Sequence, residues 1–160
     1  SEGGSIAFIL GAKGKVDFVI SMAGIGVRGD TALTAQANRL LELSGQPMRL
    51  STLQYRVNAY MKKSPWLNFF MDYDPSGDIT KTLCPVMAIN GERDVQVISS
   101  LNLIGVKGHL TENPKNFIKE YPALNHLFQH CTTGNVSEYR MIEETISPEV
   151  LEDIVRFIKQ

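Results

Sequence analysis

Cysteine, long apolar runs and excess charge of either sign are all scarce in this chain. Its two cysteines, Cys84 and Cys131, are too few for a disulfide framework and lack the close spacing of zinc sites, so we expect two plain thiols. No apolar run reaches the roughly 18 residues that a membrane span needs. The 16 basic and 17 acidic residues give a net charge of −1, with no basic stripe. We therefore expect neither a nucleic-acid nor a membrane partner.

Length and composition are those of a single globular domain. The chain has 160 residues, of which 43% are hydrophobic and 21% charged, a balance that supports a buried core. Neither a linker-like stretch nor an internal repeat divides it, so we expect one domain over residues 1–160. The sequence leaves the cellular compartment open.

Apolar patterning alternates between strand-like and helix-like segments. Runs bounded by glycine or proline predict buried strands at residues 16–23, 86–90 and 116–121. Helical spacing and capping residues predict helices at residues 2–10, 30–45, 50–61, 99–106 and 148–158, the last capped by Ser147. Segment 64–83 reads as irregular or short-helical, and its aromatics, Trp66, Phe69 and Phe70, are expected to pack on the core. The alternation predicts an α/β fold with about three parallel strands flanked by helices.

The first predicted strand is apolar enough to need neighbours on both sides, although nothing precedes the first helix. We therefore expect a missing N-terminal portion. Without it, the open edge of this strand would pair with a second copy of the chain.

Chemistry in α/β sheets collects just beyond the carboxyl ends of the strands. The second strand is followed by Gly91 and then Asp94, and the third by a turn that leads to His126. Ser1 lies at the start of a helix, where free backbone N–H groups and a positive partial charge meet. The chain order Ser, Asp, His is that of an α/β-hydrolase triad.

Other residues compete for each of these roles. Ser5 is a rival nucleophile by pattern, although it falls inside the predicted helix. The rivals for the acid and the base are Glu92, Asp72, Asp74, His109 and His130, all of which suit turns or surfaces better. His126 and His130 have the i, i+4 spacing of a zinc helix but lack the glutamate of H-E-x-x-H. An N-terminal-nucleophile hydrolase would use the Ser1 amine as base, but its antiparallel sheets disagree with the pattern.

Several motifs together resemble the bacterial α/β-hydrolase superfamily, in the branch of serine aminopeptidase-like and dienelactone-hydrolase-like esterases. Ser1-Glu2-Gly3-Gly4 looks like the second half of a G-x-S-x-G nucleophile elbow. The stretches CPVMAINGERD at 84–94 and LNHLFQ at 124–129 look like its acid and histidine segments, and TISPEV at 145–150 looks like its closing helix. The resemblance covers essentially the whole chain, as the C-terminal half of such a fold.

The resemblance implies a serine hydrolase that cleaves carboxylic esters or small amides and needs no cofactor or metal. Ser1 would match the nucleophile, Asp94 the acid and His126 the base. The backbone N–H of Glu2 would match one oxyanion donor, and Gly3 would let the helix pack close behind the serine. Helices at about 30–70 would correspond to a lid that shapes the substrate pocket.

The same resemblance implies that activity is impaired in a chain lacking the upstream strands and the loop that gives a second oxyanion N–H. Loss of one such donor costs on the order of 100- to 1000-fold in turnover. The alternative is a non-catalytic hydrolase fragment that self-associates through its open sheet edge.

Overall fold

A computed structural model describes the whole chain, Ser1–Gln160, and has a three-stranded parallel sheet at its centre. The strands are β1 (Val19–Met22), β2 (Val86–Gly91) and β3 (Phe117–Tyr121), in the order β1-β2-β3. The helices are α1 (Glu2–Ala12), α2 (Gly29–Leu43), α3 (Thr52–Tyr60), α4 (Pro65–Asp72), α5 (Ser76–Lys81), α6 (Ser99–His109) and α7 (Pro148–Ile158), with a 3-10 helix at Val136–Met141. The predicted α/β class, with three parallel strands and flanking helices, is confirmed.

Strand β2 is central, and all six of its residues are buried. Its side chains alternate between the two faces of the sheet, as strand geometry requires. Val86 and Ala88 join a cluster with Phe8 of α1, whereas Met87 and Ile89 join the larger core that includes Val150 of α7. Helices therefore cover the sheet on both faces, which explains the continuous apolar run in β2.

Strand β1 is shorter than predicted and lies at the edge of the sheet, paired with β2 alone. Val19 is the first residue to bond to the neighbouring strand, through its N–H to Pro85 O at 2.9 Å. Phe18, just before it, is partly exposed and packs edge-on against Phe157 of α7 instead. The first residues of the predicted strand, 16–18, therefore precede β1 and are not part of the sheet.

Segment 64–83 folds into two short helices, α4 and α5. Pro65 occupies the first turn of α4, where its missing N–H costs nothing, and the Ser64 hydroxyl accepts a hydrogen bond from Leu67 N. The expectation that its aromatics pack on the core is wrong in part. Phe70 is buried, but Trp66 is 51% exposed and Phe69 is 67% exposed.

Ion pairs join α2, α3 and α4 to each other. The guanidinium of Arg56 on α3 donates to Asp30 of α2 at 2.8 Å and to Asp72 of α4 at 2.6 Å. Asp30 is buried, so this pairing is shielded from solvent on one side. The three helices therefore form one connected layer above the carboxyl end of the sheet. No helix of the chain is long and apolar enough to cross a membrane.

Candidate active site

Asp94 and His126 are brought together by the loops that follow β2 and β3. The Nδ1 atom of His126 lies 2.7 Å from Oδ2 of Asp94. Asp94 is 3% exposed, and the side chain of His126 is 12% exposed. A carboxylate facing Nδ1 fixes the neutral imidazole with its proton on Nδ1, which leaves the lone pair of Nε2 free to accept another proton.

The other carboxylate oxygen of Asp94 organises its own loop. Asp94 Oδ1 accepts hydrogen bonds from the backbone N–H groups of Gln96 at 2.8 Å and Val97 at 2.9 Å. Asp94 N in turn donates to Gly91 O at 3.2 Å. Every oxygen of this buried carboxylate is therefore satisfied, and the group is held in one orientation toward the histidine.

The two loops are also tied to each other through backbone bonds. Glu92 N donates to Tyr121 O, and Arg93 N donates to Leu124 O, both at 2.9 Å. Gly91 is required at this junction, because a Cβ there would collide with the carbonyl oxygens of Leu124 and Asn125. The Arg93 guanidinium donates to Cys131 O and Thr132 O, which anchors the segment after the histidine.

Asn125 shapes the turn that carries His126, a role that the sequence analysis missed. Its buried side-chain oxygen accepts from Leu127 N at 2.8 Å and Gln129 N at 3.1 Å. Phe128, in the same turn, has a φ of 59°, a left-handed conformation uncommon outside glycine. An Asn directly before the histidine was the available signal, since its side chain readily bonds to backbone groups further along the chain.

Ser1 lies at the first turn of α1, above the end of β1. Its amino group donates to Met22 O at 3.3 Å. Burial lowers the pKa of that amino group, and the negative charges of Asp94 and Glu2 oppose the shift. No hydrogen bond joins the Ser1 hydroxyl to His126 in this structure. Ser1 instead shares a cavity wall with Gln96 and Val97, the residues that hold Asp94.

The close packing expected at Gly3 occurs at Gly4 instead. A Cβ at Gly3 would meet no atom within 4 Å, whereas one at Gly4 would lie 2.7 Å from Ser21 Oγ and 2.8 Å from Gly24 Cα. The expectation for Gly3 is therefore wrong within this chain. Gly4 faces the sheet and lets α1 rest on β1, which fixes the height of Ser1 above the strand ends.

The rival residues lie elsewhere. Ser5 is buried inside α1, and its hydroxyl has no hydrogen-bond partner. His130 is mostly exposed and faces Glu144 at 3.0 Å.

The rival acids are bonded to other partners. Glu92 accepts from Ala123 N, and Asp72 pairs with Arg56. Asp74 bonds to Ser76 N, and the carbonyl of His109 accepts from the Thr80 hydroxyl. No cluster of three or more histidine, cysteine or acidic side chains could hold a metal ion.

Comparison with known proteins adds little to this geometry. No protein-family model matches the chain, and no curated protein matches it in sequence. It is similar to the crystal structure of the 2,6-dihydroxy-pseudo-oxynicotine hydrolase, with a TM-score of 0.45 and 13% identity. The match covers 77% of this chain and 31% of that chain, so this chain spans less than a third of that enzyme's length. A likeness of this degree carries no functional argument.

Proposed function

We propose that this chain carries the catalytic residues of an α/β-hydrolase that cleaves carboxylic esters or small amides through an acyl-serine intermediate. The observation that carries the proposal is the 2.7 Å contact between His126 Nδ1 and a buried, fully bonded Asp94. The two residues follow adjacent parallel strands, β2 and β3. A histidine oriented in this way by a carboxylate can act as the general base for a serine nucleophile.

In the proposed reaction, Ser1 Oγ attacks the carbonyl carbon of the substrate while His126 Nε2 takes the hydroxyl proton. The tetrahedral intermediate then collapses, and the same proton passes to the departing alcohol or amine. Water, deprotonated by His126, then attacks the acyl-serine, and as the bond to Ser1 Oγ breaks that proton passes from His126 to Oγ, which releases the acid and restores the serine. Asp94 keeps its negative charge throughout and stabilises the imidazolium.

The first turn of α1 supplies the electrostatic part of the proposal. The N–H groups of the first helical residues have no partner within the helix, so Glu2 N–H is free to donate to an oxyanion on the substrate. The positive end of the helix dipole lies at the same place. The helices α2 to α4 would act as the lid over this site.

A second candidate function is non-catalytic. Strand β1 pairs only with β2, and Phe18 beside it is partly exposed. An unpaired strand edge is a template for pairing with another chain. Under this alternative, two copies of the chain associate through β1 and the triad residues do no chemistry.

Turnover of p-nitrophenyl acetate by His126→Ala tests the catalytic proposal, with His130→Ala as the matched control. His130 is a second histidine four residues away, and both its backbone N–H and its ring bond to the Glu144 carboxylate. We expect a loss of about a thousandfold or more for His126→Ala and little change for His130→Ala. Turnover by His126→Ala at the level of the parent protein would contradict the assignment. Comparison of the ester with the matching p-nitroanilide separates esterase from amidase activity.

A further inference from the structure

A cavity of about 220 Å³ opens beside Ser1, between the end of the sheet and the helices α2 and α4. We propose that this cavity receives an uncharged aromatic ring, or an apolar group of similar size, carried by the substrate, and that Trp66 is the residue that sets this preference. The inference rests on the proposed function, because it names the substrate class for the same site.

The walls of the cavity are mainly apolar. Six of its ten lining residues are hydrophobic: Ile25, Ala32, Leu33, Trp66, Phe70 and Val97. The Trp66 and Phe70 rings stack, with their centroids 5.4 Å apart and their planes at 21°. Flat aromatic walls favour a ring or a similarly flat apolar group, which gains both burial and stacking.

Trp66 is held in place by the residue next to the candidate nucleophile. Its indole Nε1 donates to Oε1 of Glu2 at 2.9 Å. Glu2 is the first residue of α1 and follows Ser1 directly. The aromatic wall is therefore fixed relative to the reacting centre by a hydrogen bond to a charged acceptor, a strong type of bond.

Charge limits which ligands fit. Glu2 is the one charged side chain in the lining, and no lysine, arginine or histidine lies there. The negative charges of Glu2 and Asp94 both reach the start of α1, since both act on the Ser1 amino group. The Ser1 amino group is the one cation at the cavity, and it already donates to Met22 O and interacts with both of these carboxylates. A further carboxylate on the group that enters the cavity would therefore meet no unpaired cation.

The volume agrees with a single ring. An apolar protein cavity of about 150 Å³ is large enough to bind benzene. The cavity beside Ser1 exceeds this by enough for a ring and a short linker to the carbonyl. Gln36 and Gln96 contribute the remaining polar groups, and Gln96 is fixed by its bond to the Tyr139 hydroxyl at 3.2 Å.

Trp66 is the only tryptophan of the chain, so its fluorescence reports directly on the cavity. The probes are three ketones that cannot be hydrolysed: 4-phenylbutan-2-one, butan-2-one, which lacks the ring, and 4-(3-oxobutyl)benzoate, which keeps the ring and the ketone but carries a carboxylate on the ring. We expect saturable quenching or a spectral shift with the phenyl ketone. Binding of each of the other two probes should be weaker by at least about tenfold.

Two substitutions locate the binding. Ala32→Leu fills the cavity from α2 and should weaken binding of the phenyl ketone by about tenfold, whereas Phe69→Ala removes an exposed aromatic of α4 that lies outside the cavity and should leave it unchanged. Circular dichroism checks that both variants fold. If Ala32→Leu does not fold, Trp66→Phe replaces it, with binding followed by calorimetry and the same weakening expected.

The results also separate this inference from the proposed function. Equal affinity for the ketones with and without the ring, or equal weakening by the Phe69 and Ala32 variants, would overturn the inference even in an active hydrolase. Selective binding of the phenyl ketone by a protein that hydrolyses no ester would uphold the cavity's preference and refute the hydrolase proposal instead.

Discussion

Replacement of Asp94 by Asn separates the two jobs of this carboxylate. Its Oδ1 accepts from the N–H groups of Gln96 and Val97, and its Oδ2 faces Nδ1 of His126. An asparagine keeps one oxygen for the two backbone donors but places an amide N–H₂ against the histidine. Nδ1 must then accept a hydrogen bond, so the imidazole proton moves to Nε2 and the histidine can no longer take a proton from serine.

The geometry gives different magnitudes for activity and stability. A triad with the wrong histidine tautomer loses about 10⁴-fold in turnover. The free energy of unfolding should change by less than about 1 kcal/mol, because the loop bonds survive. Asp94→Ala, by contrast, leaves the N–H groups of Gln96 and Val97 without a partner. At about 1 to 3 kcal/mol for each unsatisfied buried group, it should destabilise the fold by about 2 to 6 kcal/mol.

The assay pairs ester turnover with urea unfolding for both variants. We expect Asp94→Asn to unfold at nearly the same urea concentration as the parent protein while losing its turnover, and Asp94→Ala to lose both. An Asn variant that keeps its turnover would refute the tautomer argument. An Asn variant as unstable as the Ala variant would refute the account of the loop.

Two further predictions concern stability and assembly. Burial alone would raise the pKa of Asp153. Hydrogen bonds from Lys119 and Tyr121 lower it by more than burial raises it, so the pKa lies below its usual value. Asp153 therefore stabilises the fold above its unfolded pKa and loses this effect as pH falls through its folded pKa. Asp153→Asn should cost about 1 to 3 kcal/mol at pH 7 and less at pH 3 in urea unfolding. The same cost at pH 7 and at pH 3 would contradict this direction of pH dependence. The control is Glu149→Gln, which removes an exposed partner of Lys119. The unpaired edge of β1 predicts a molecular mass that rises with concentration in light scattering, and a constant monomer mass would exclude pairing through that edge.

Much of the fold follows from local patterning. The apolar run that forms β2 is bounded by Pro85 and Gly91, and this run becomes the fully buried central strand. Pro148 begins α7 as expected for a first-turn proline. Ser147 is the N-cap residue of α7 as predicted, although its hydroxyl makes no bond to the helix. Its backbone N–H donates to Phe128 O. This tertiary contact joins the start of α7 to the histidine loop.

Local patterning likewise predicts some residues of the candidate site but not those that only tertiary packing brings together. Asp94 and His126 could be predicted because both follow strands, and adjacent parallel strands place their ends side by side. Trp66 and Gln96 could not, because they meet in the cavity only when α4 folds over the sheet. The 3-10 helix that carries Tyr139 has no periodic apolar pattern from which it could be predicted.

The most direct test of the account is the intact mass of the purified protein after exposure to a fluorophosphonate, which modifies activated serines. We expect one adduct, mapped by peptide sequencing to Ser1, which still forms in Ser5→Ala and is lost in His126→Ala. Absence of any adduct, an adduct on another serine, or labelling that persists unchanged in His126→Ala would contradict the claim that Ser1, Asp94 and His126 work as one catalytic unit.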